Sequence, residues 1–196
     1  MLDLGGLRES KRGQFDIRNY PVQCVCVNLS RARGPHVQAD GAALPLRAGS
    51  FDAVVCAEVL EHVLYPDAIL REAHRVLRNG GVLLATAPFL YRVHDDPHDY
   101  GRYTPEYWRV VLATAGFKSI EIQQHGRFLS VLADFAKQWV SEGGAPRPLG
   151  RVAAWGATLF ASWALACDSQ TTGEHPFSDS FATGYGIVAV KDAISR

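Results

Sequence analysis

Cysteine is scarce in this chain, with four residues in 196, too few for a disulfide-stapled scaffold. No Cys/His set has zinc-finger spacing. Cys24 and Cys26 alternate in one apolar run and Cys56 lies in another, so all three are expected as buried thiols. Excess charge of either sign is absent. The 20 Lys and Arg balance 20 Asp and Glu, whereas a chain that grips nucleic acid through its phosphates carries a clear basic surplus. No nucleic-acid partner is expected. The start, MLDLGG, has no basic stretch followed by an apolar one, so no signal peptide and a cytoplasmic location are expected. Internal repeats and low-complexity tracts are missing. One segment, 149–167 (LGRVAAWGATLFASWALAC), approaches membrane-spanning length. Arg151 interrupts it early, and alanine and glycine make it weakly hydrophobic per residue. A buried or interfacial helix is expected there rather than a span.

What is present is globular: 47 % hydrophobic and 20 % charged residues, consistent with one domain over 1–196. Short apolar runs read as strands at Leu2–Leu4, 22–29, 37–40, 51–56, 81–87, 117–123 and 185–190. Between them, 66–77 (PDAILREAHRVL) has helical apolar spacing at Ala68, Ile69, Ala73, Val76 and Leu77, with Asn79-Gly80-Gly81 as its stop. A second helix opens at Thr104-Pro105-Glu106 and ends at Gly116, since threonine caps, proline suits the first turn and glutamate favours the positive end. Buried strands alternating with helices predict an α/β fold built on a mostly parallel sheet.

In such a sheet, ligands bind beyond the carboxyl ends of the strands near the topological switch point. The first strand delivers Asp3, Gly5 and Gly6 to that edge. Glycine lets a backbone approach a ligand closely, and a carboxylate can accept from an ammonium group. The second strand ends at Asn28, whose amide can bond a ribose hydroxyl. The third ends at Asp40-Gly41, where a carboxylate can accept from an exocyclic amine. The fourth ends at Ala57-Glu58. Each piece is also an ordinary turn former; order and spacing together outline a nucleoside-sized site.

Residues 39–63, ADGAALPLRAGSFDAVVCAEVLEHV, carry an acidic residue, then Leu-Pro, Ser-Phe-Asp, a buried strand and Leu-Glu-His-Val. With HRVLRNGGVLLATAPF (74–89) and HDDPHDYGRYTPEYWRVVLATAGF (94–117), this resembles the class I S-adenosylmethionine-dependent methyltransferases, in particular the type 11 methyltransferase domain. The resemblance covers about 1–124 and the last strand. It implies a Rossmann-like, seven-stranded sheet with an α-helical insertion before the last strand. The parts would be a cofactor-binding core over 1–126, a helical cap over 127–183 and the final strand over 184–192. It also implies S-adenosyl-L-methionine as cofactor and a small-molecule acceptor with an oxygen, nitrogen or carbon nucleophile. Asp3, Gly5 and Gly6 would face the methionine part of the cofactor, Asn28 the ribose, Asp40 and Gly41 the adenine amine, and Ala57 and Glu58 the sulfonium. In this sequence Leu7 stands where the family's loop has a second glycine, and Asn28 where an acidic residue is usual. The sequence starts at the first strand, without the helices that ordinarily precede it in the family; either the start is truncated or other segments are expected to close the pocket.

Methyl transfer needs a general base only where the acceptor must lose a proton. His94 and His98 are the candidate catalytic bases, and Tyr100, Arg102 and Tyr103 the candidate acceptor-binding residues. The alternative is a polar lid in which Arg102 pairs with Asp99. A metal held by His94, His98 and neighbouring aspartates is weaker, because that spacing is not diagnostic, and no metal is expected. His62, after Glu61, is expected as a structural or pocket-wall histidine.

The tail carries apolar spacing at Phe128, Leu129, Leu132, Phe135 and Trp139, and again at Trp155, Leu159, Phe160 and Trp163. A cap that buries these faces against the core or in a homodimer is expected. An apolar acceptor pocket or a peripheral membrane contact through 149–167 is the alternative. Two rivals to the enzyme remain. One is a non-catalytic scaffold on the same fold. The other is a dehydrogenase, which the missing G-x-G-x-x-G after the first strand disfavours.

Overall fold

The computed structural model describes residues 1–6, 19–94, 98–142, 150–170 and 175–192. The position of Leu7, the polar stretch at 8–18 and the turn-rich break at 143–149 lie outside them. Seven strands form one sheet: β1 (Leu2–Leu4), β2 (Val25–Asn28), β3 (Val37–Gln38), β4 (Phe51–Ala57), β5 (Leu77–Pro88), β6 (Ser119–His125) and β7 (Gly184–Val190). The helices are α1 (Pro66–Val76), α2 (Pro105–Thr114), α3 (Phe128–Ser141), α4 (Gly150–Gln170) and α5 (Pro176–Asp179). The sheet order is β3-β2-β1-β4-β5-β7-β6. The pairs β1–β2, β1–β4, β2–β3 and β4–β5 are parallel. The strand order reverses at β1, with β2 added on one side and β4 on the other, all running in the same direction, which makes the carboxyl end of β1 the switch point.

The chain divides into two compact units. One comprises Met1–Ala87, Val93–Gln123 and Gly186–Arg196; the other comprises Pro88–Arg92 and Gln124–Tyr185. In the first, β1 and β4 are buried through Leu2, Leu4, Val54 and Cys56. Helix α1 buries Pro66, Ile69, Leu70, Ala73 and Val76, and α2 buries Trp108, Val111 and Leu112. Each such aliphatic side chain removed from water contributes about 1.5–3 kcal/mol. Cys26 and Cys56 are buried as expected, whereas Cys24, before β2 begins, is only half-buried.

Two expectations need correction. The Asn79-Gly80-Gly81 turn does not separate α1 from a later strand, because β5 already runs from Leu77. Phe51 pairs with Leu77 and Ala53 with Val82, so the extra residues bulge out of β5. Gly80 supplies the positive φ of 75° that the bulge requires. The second concerns the helical tail, and only the part of that expectation that buries its aromatic faces within the chain itself. The seam between α3 and α4 is made of Ala133, Ala161 and Ala164, with Leu129 and Phe160 packed against it. Leu132, Phe135, Trp139, Trp155, Leu159 and Trp163 are all exposed, Trp155 at 67 %. Small residues let the two helix backbones approach closely, so the alanine stripe, not the aromatic one, became the buried face. None of the described helices is long and apolar enough to cross a membrane.

Candidate active site

The glycine turn after β1 is tightly specified. Gly5 adopts φ +74°, and a Cβ there would lie 2.4 Å from Val59 Cγ2. A Cβ on Gly6 would fall 1.9 Å from Asp3 Oδ2, so the Asp3 carboxylate fills the space that any larger residue at position 6 would need. Gly5 N–H donates to the Val27 carbonyl (2.8 Å). Asn28 Nδ2 donates to the carbonyls of Gly5 (3.0 Å) and Gly6 (3.1 Å), while its Oδ1 accepts from Ser30 N–H (2.9 Å). Asn28 thus shapes the glycine turn from the neighbouring strand. Asp40 is exposed and closes an Asx turn by accepting from Ala42 N–H (2.9 Å). Gly41 lies against Ile69, which a Cβ would approach to 3.2 Å. Beyond β4, Glu58 has φ +52°, a left-handed conformation that costs a side-chain-bearing residue free energy and concentrates at functional sites. Its N–H donates to the Thr86 carbonyl of β5 (3.1 Å), which holds the strained residue at the sheet edge.

A second group of side chains lies in the same unit. Glu61 is fully buried, and neither carboxylate oxygen has a hydrogen-bond partner among the described residues. Burial pushes its pKa up to about 7; its own backbone N–H pulls the other way, the Glu58 charge adds to the rise, and His62 and Arg102 oppose it. His62 Nδ1 lies 2.6 Å from the His98 carbonyl, so that nitrogen must carry the proton and donate. His62 Nε2 faces Glu61 Oε1 at 3.7 Å. The His62 and His94 rings meet edge to face, with centroids 4.9 Å apart. His94 Nδ1 lies 3.3 Å from Asp99 Oδ2, and the same oxygen accepts from His94 N–H (2.9 Å).

Asp99 is gripped by both terminal nitrogens of Arg102, at 2.5 and 2.7 Å. That fork, followed by the His94 backbone N–H, holds its carboxyl far below the usual carboxylate range despite near-complete burial. Tyr100 N–H donates to the Glu61 carbonyl (2.8 Å), tying the 98–103 loop to the 60–62 turn. Tyr103 stacks on Tyr107 (centroids 4.3 Å) and meets the edge of buried Trp108 (5.1 Å). Desolvation, with the Glu61 charge behind it, raises the Tyr103 hydroxyl pKa.

The structure therefore brings together some of the sequence candidates and not others. His94 joins Glu61 and His62. The His98 ring is exposed and packs on Tyr100, with centroids 5.6 Å apart, and only its backbone carbonyl reaches the cluster. The Asp99–Arg102 pair expected as the alternative to substrate binding is present. Tyr100 is 48 % exposed. Asp95 and Asp96 lie outside the described residues. Glu61 was not among the sequence candidates. Its signal was a carboxylate inside the apolar run Val59-Leu60-Glu61-His62-Val63, where an ionisable side chain is unexpected without a purpose.

Sequence and structure comparisons agree with this architecture. A methyltransferase-domain family model matches residues 14–85. A ubiquinone biosynthesis O-methyltransferase from Xanthomonas oryzae pv. oryzae is 60 % identical over 35 residues, 18 % of this chain and 15 % of that one. A SAM-dependent methyltransferase from Archaeoglobus fulgidus superposes with TM-score 0.60 at 17 % identity, over 97 % of this chain and 85 % of that one. Haemonchus contortus phosphoethanolamine N-methyltransferase 2, solved with S-adenosyl-L-methionine, superposes with TM-score 0.56 at 15 % identity, over 98 % of this chain and 48 % of that one. The chain has the fold of these S-adenosylmethionine-dependent methyltransferases, and residues 14–85 are similar to the methyltransferase domain. Its alignments span only about 15 % of the length of the first ubiquinone-pathway relatives.

Proposed function

We propose that this protein is an S-adenosylmethionine-dependent methyltransferase acting on a small-molecule acceptor. The observation that carries this reading is the pair of adjacent strand ends at the switch point: the Gly5-Gly6 turn, in which no Cβ fits, beside Glu58 held at positive φ. Such backbone cradles accept a ligand that must approach the main chain closely. The residues present fit the cofactor. Asp3 offers a carboxylate toward an ammonium group, and Asp40 an exposed carboxylate toward an exocyclic amine. Asn28 holds the carbonyls of the turn in place. When bound, the cofactor supplies an activated methyl group on a sulfonium. The chain's own contribution is orientation and exclusion of water, with Tyr100, Tyr103 and the Asp99-braced Arg102 on the acceptor side.

Calorimetric titration with S-adenosylhomocysteine tests the reading on protein shown to melt cooperatively. A micromolar dissociation constant is expected, weakened more than tenfold in Asp3→Ala through loss of a charge-assisted contact. Absence of both heat and thermal stabilisation overturns it in favour of a non-catalytic scaffold on the same fold.

A further inference from the structure

We infer that Glu61, His62 and His94 form a binding site for one first-row divalent metal ion of the zinc type. The three side chains each offer one ligand atom, and these atoms lie within 4.8 Å of one another. The donor set is two imidazoles and one carboxylate, which suits zinc, cobalt or ferrous ions rather than magnesium or calcium.

Three further features favour a cation over a hydrogen-bonded cluster. The first is Glu61 itself, a fully buried carboxylate with no hydrogen-bond partner on either oxygen among the described residues. Burying such a group without compensation costs free energy, and a dication is the compensation the surroundings are shaped for. The second is the tautomer of His62. Its Nδ1–H donates to the His98 carbonyl at 2.6 Å, so in the neutral ring Nε2 presents a lone pair toward Glu61 Oε1. The separation of 3.7 Å is too long for a hydrogen bond. It is close to the roughly 3.3–3.4 Å between two ligands held about 2.0–2.1 Å from a tetrahedral zinc. The third is the outer layer. Asp99, locked by Arg102, places Oδ2 3.3 Å from His94 Nδ1. The two imidazoles are thus each backed by an oxygen acceptor on Nδ1, a carbonyl for His62 and a carboxylate for His94. Metal-binding histidines carry this outer-shell arrangement because it fixes the ring and raises the basicity of the remaining nitrogen. With three protein ligands, the site would keep a position open for water or an acceptor group.

The inference does not depend on methyl transfer, and its test is separate. The full chain, stripped with a chelator and dialysed, is titrated with zinc chloride by calorimetry and with cobalt chloride by visible absorption. One equivalent is expected to bind with a micromolar or tighter dissociation constant, and cobalt to show the intense bands of four- or five-coordination. Glu61→Gln, His62→Gln and His94→Gln are each expected to weaken zinc at least tenfold. Asp99→Asn, which leaves all three ligands in place, is expected to weaken it about 10–100-fold. Failure of the wild-type protein to bind zinc or cobalt stoichiometrically overturns the site, as does binding that survives all three ligand substitutions. S-adenosylhomocysteine titration of the same metal-free sample reads the proposed function independently, so the two ideas can fail separately.

Discussion

Gly5 shows how much a single residue decides here. Its φ of +74° would strain any side chain, and a Cβ would sit 2.4 Å from Val59. Gly5→Ala therefore combines a left-handed penalty of about 1–2 kcal/mol with a clash that must shift either Val59 or the turn. The expected result is a lower melting temperature together with at least tenfold weaker S-adenosylhomocysteine binding; unchanged values for both would show that the turn tolerates a side chain. This residue, like Asp3, was legible in the sequence because an acidic residue and paired glycines directly after a short apolar strand have a simple physical use. Glu61 was legible only as a carboxylate within an apolar run, because His94, which it meets in the fold, lies more than thirty residues away. Contacts of that range arise only when the 98–103 loop folds back onto the 60–62 turn through Tyr100 N–H and the His98 carbonyl. Sequence proximity to His94 likewise says nothing about which way the His98 ring turns, and it packs on Tyr100.

At the scale of elements, α1 is tied to the segment that follows Asp40 by one carboxylate. Glu72 Oε2 accepts from Leu44 N–H (2.7 Å), and Arg75 donates to Glu72 Oε1 (2.6 Å) while also reaching the carbonyls of Leu44 (2.9 Å) and Leu46 (2.8 Å). The Arg75 hydrogen bond lowers the Glu72 pKa, aided by Leu44 N–H against desolvation. A carboxyl whose folded pKa lies below its unfolded value stabilises the fold fully above the unfolded value, near 4.5, and that contribution fades as pH falls through the folded one. Denaturant unfolding between pH 7 and pH 3 should show wild-type stability falling over this acid range. Glu72→Gln should start lower at pH 7 and fall less steeply; parallel curves for the two proteins would remove Glu72 as the source.

Helix starts with strong local signals matched expectation closely: α1 opens at Pro66, as proline in a first turn implies, and α2 at Pro105 behind the Thr104 cap. The helical tail did not. Aromatic spacing pointed to one buried face, and the structure buried Ala133, Ala161 and Ala164 instead. Periodicity identifies which residues share a face of a helix, but several faces of an Ala-rich helix can be apolar. Only the partner helix chooses between them. Part of the α3–α4 register is set by a polar contact no periodicity contains. Asp168 accepts from the backbone N–H groups of Arg127 and Ser130 and from Ser130 Oγ, closing the start of α3 from the end of α4.

For the whole molecule, sheet order is the feature that makes a ligand matter thermodynamically. The order β3-β2-β1-β4-β5-β7-β6 draws Asp3, Asn28, Asp40 and Glu58 from four separate strand ends to one edge, so a ligand bound there, as proposed, would engage residues that are distant in the chain and that separate on unfolding. Binding restricted to the native state adds RT ln(1 + [L]/Kd) to stability, about 2.7 kcal/mol at one hundred times Kd. For a chain of this size each kcal/mol raises the melting temperature by about 2–4 °C, so saturating S-adenosylhomocysteine should raise it by roughly 5–11 °C. Two compact units add a sharper requirement. Should the scan resolve two transitions, the ligand must move the one that hydrogen exchange assigns to β1 and β4, since the cradle belongs to that unit. A shift confined to the transition assigned to α3 and α4 would mean that the ligand binds away from the glycine turn, and the assignment of Asp3, Gly5 and Gly6 to cofactor binding would fall with it.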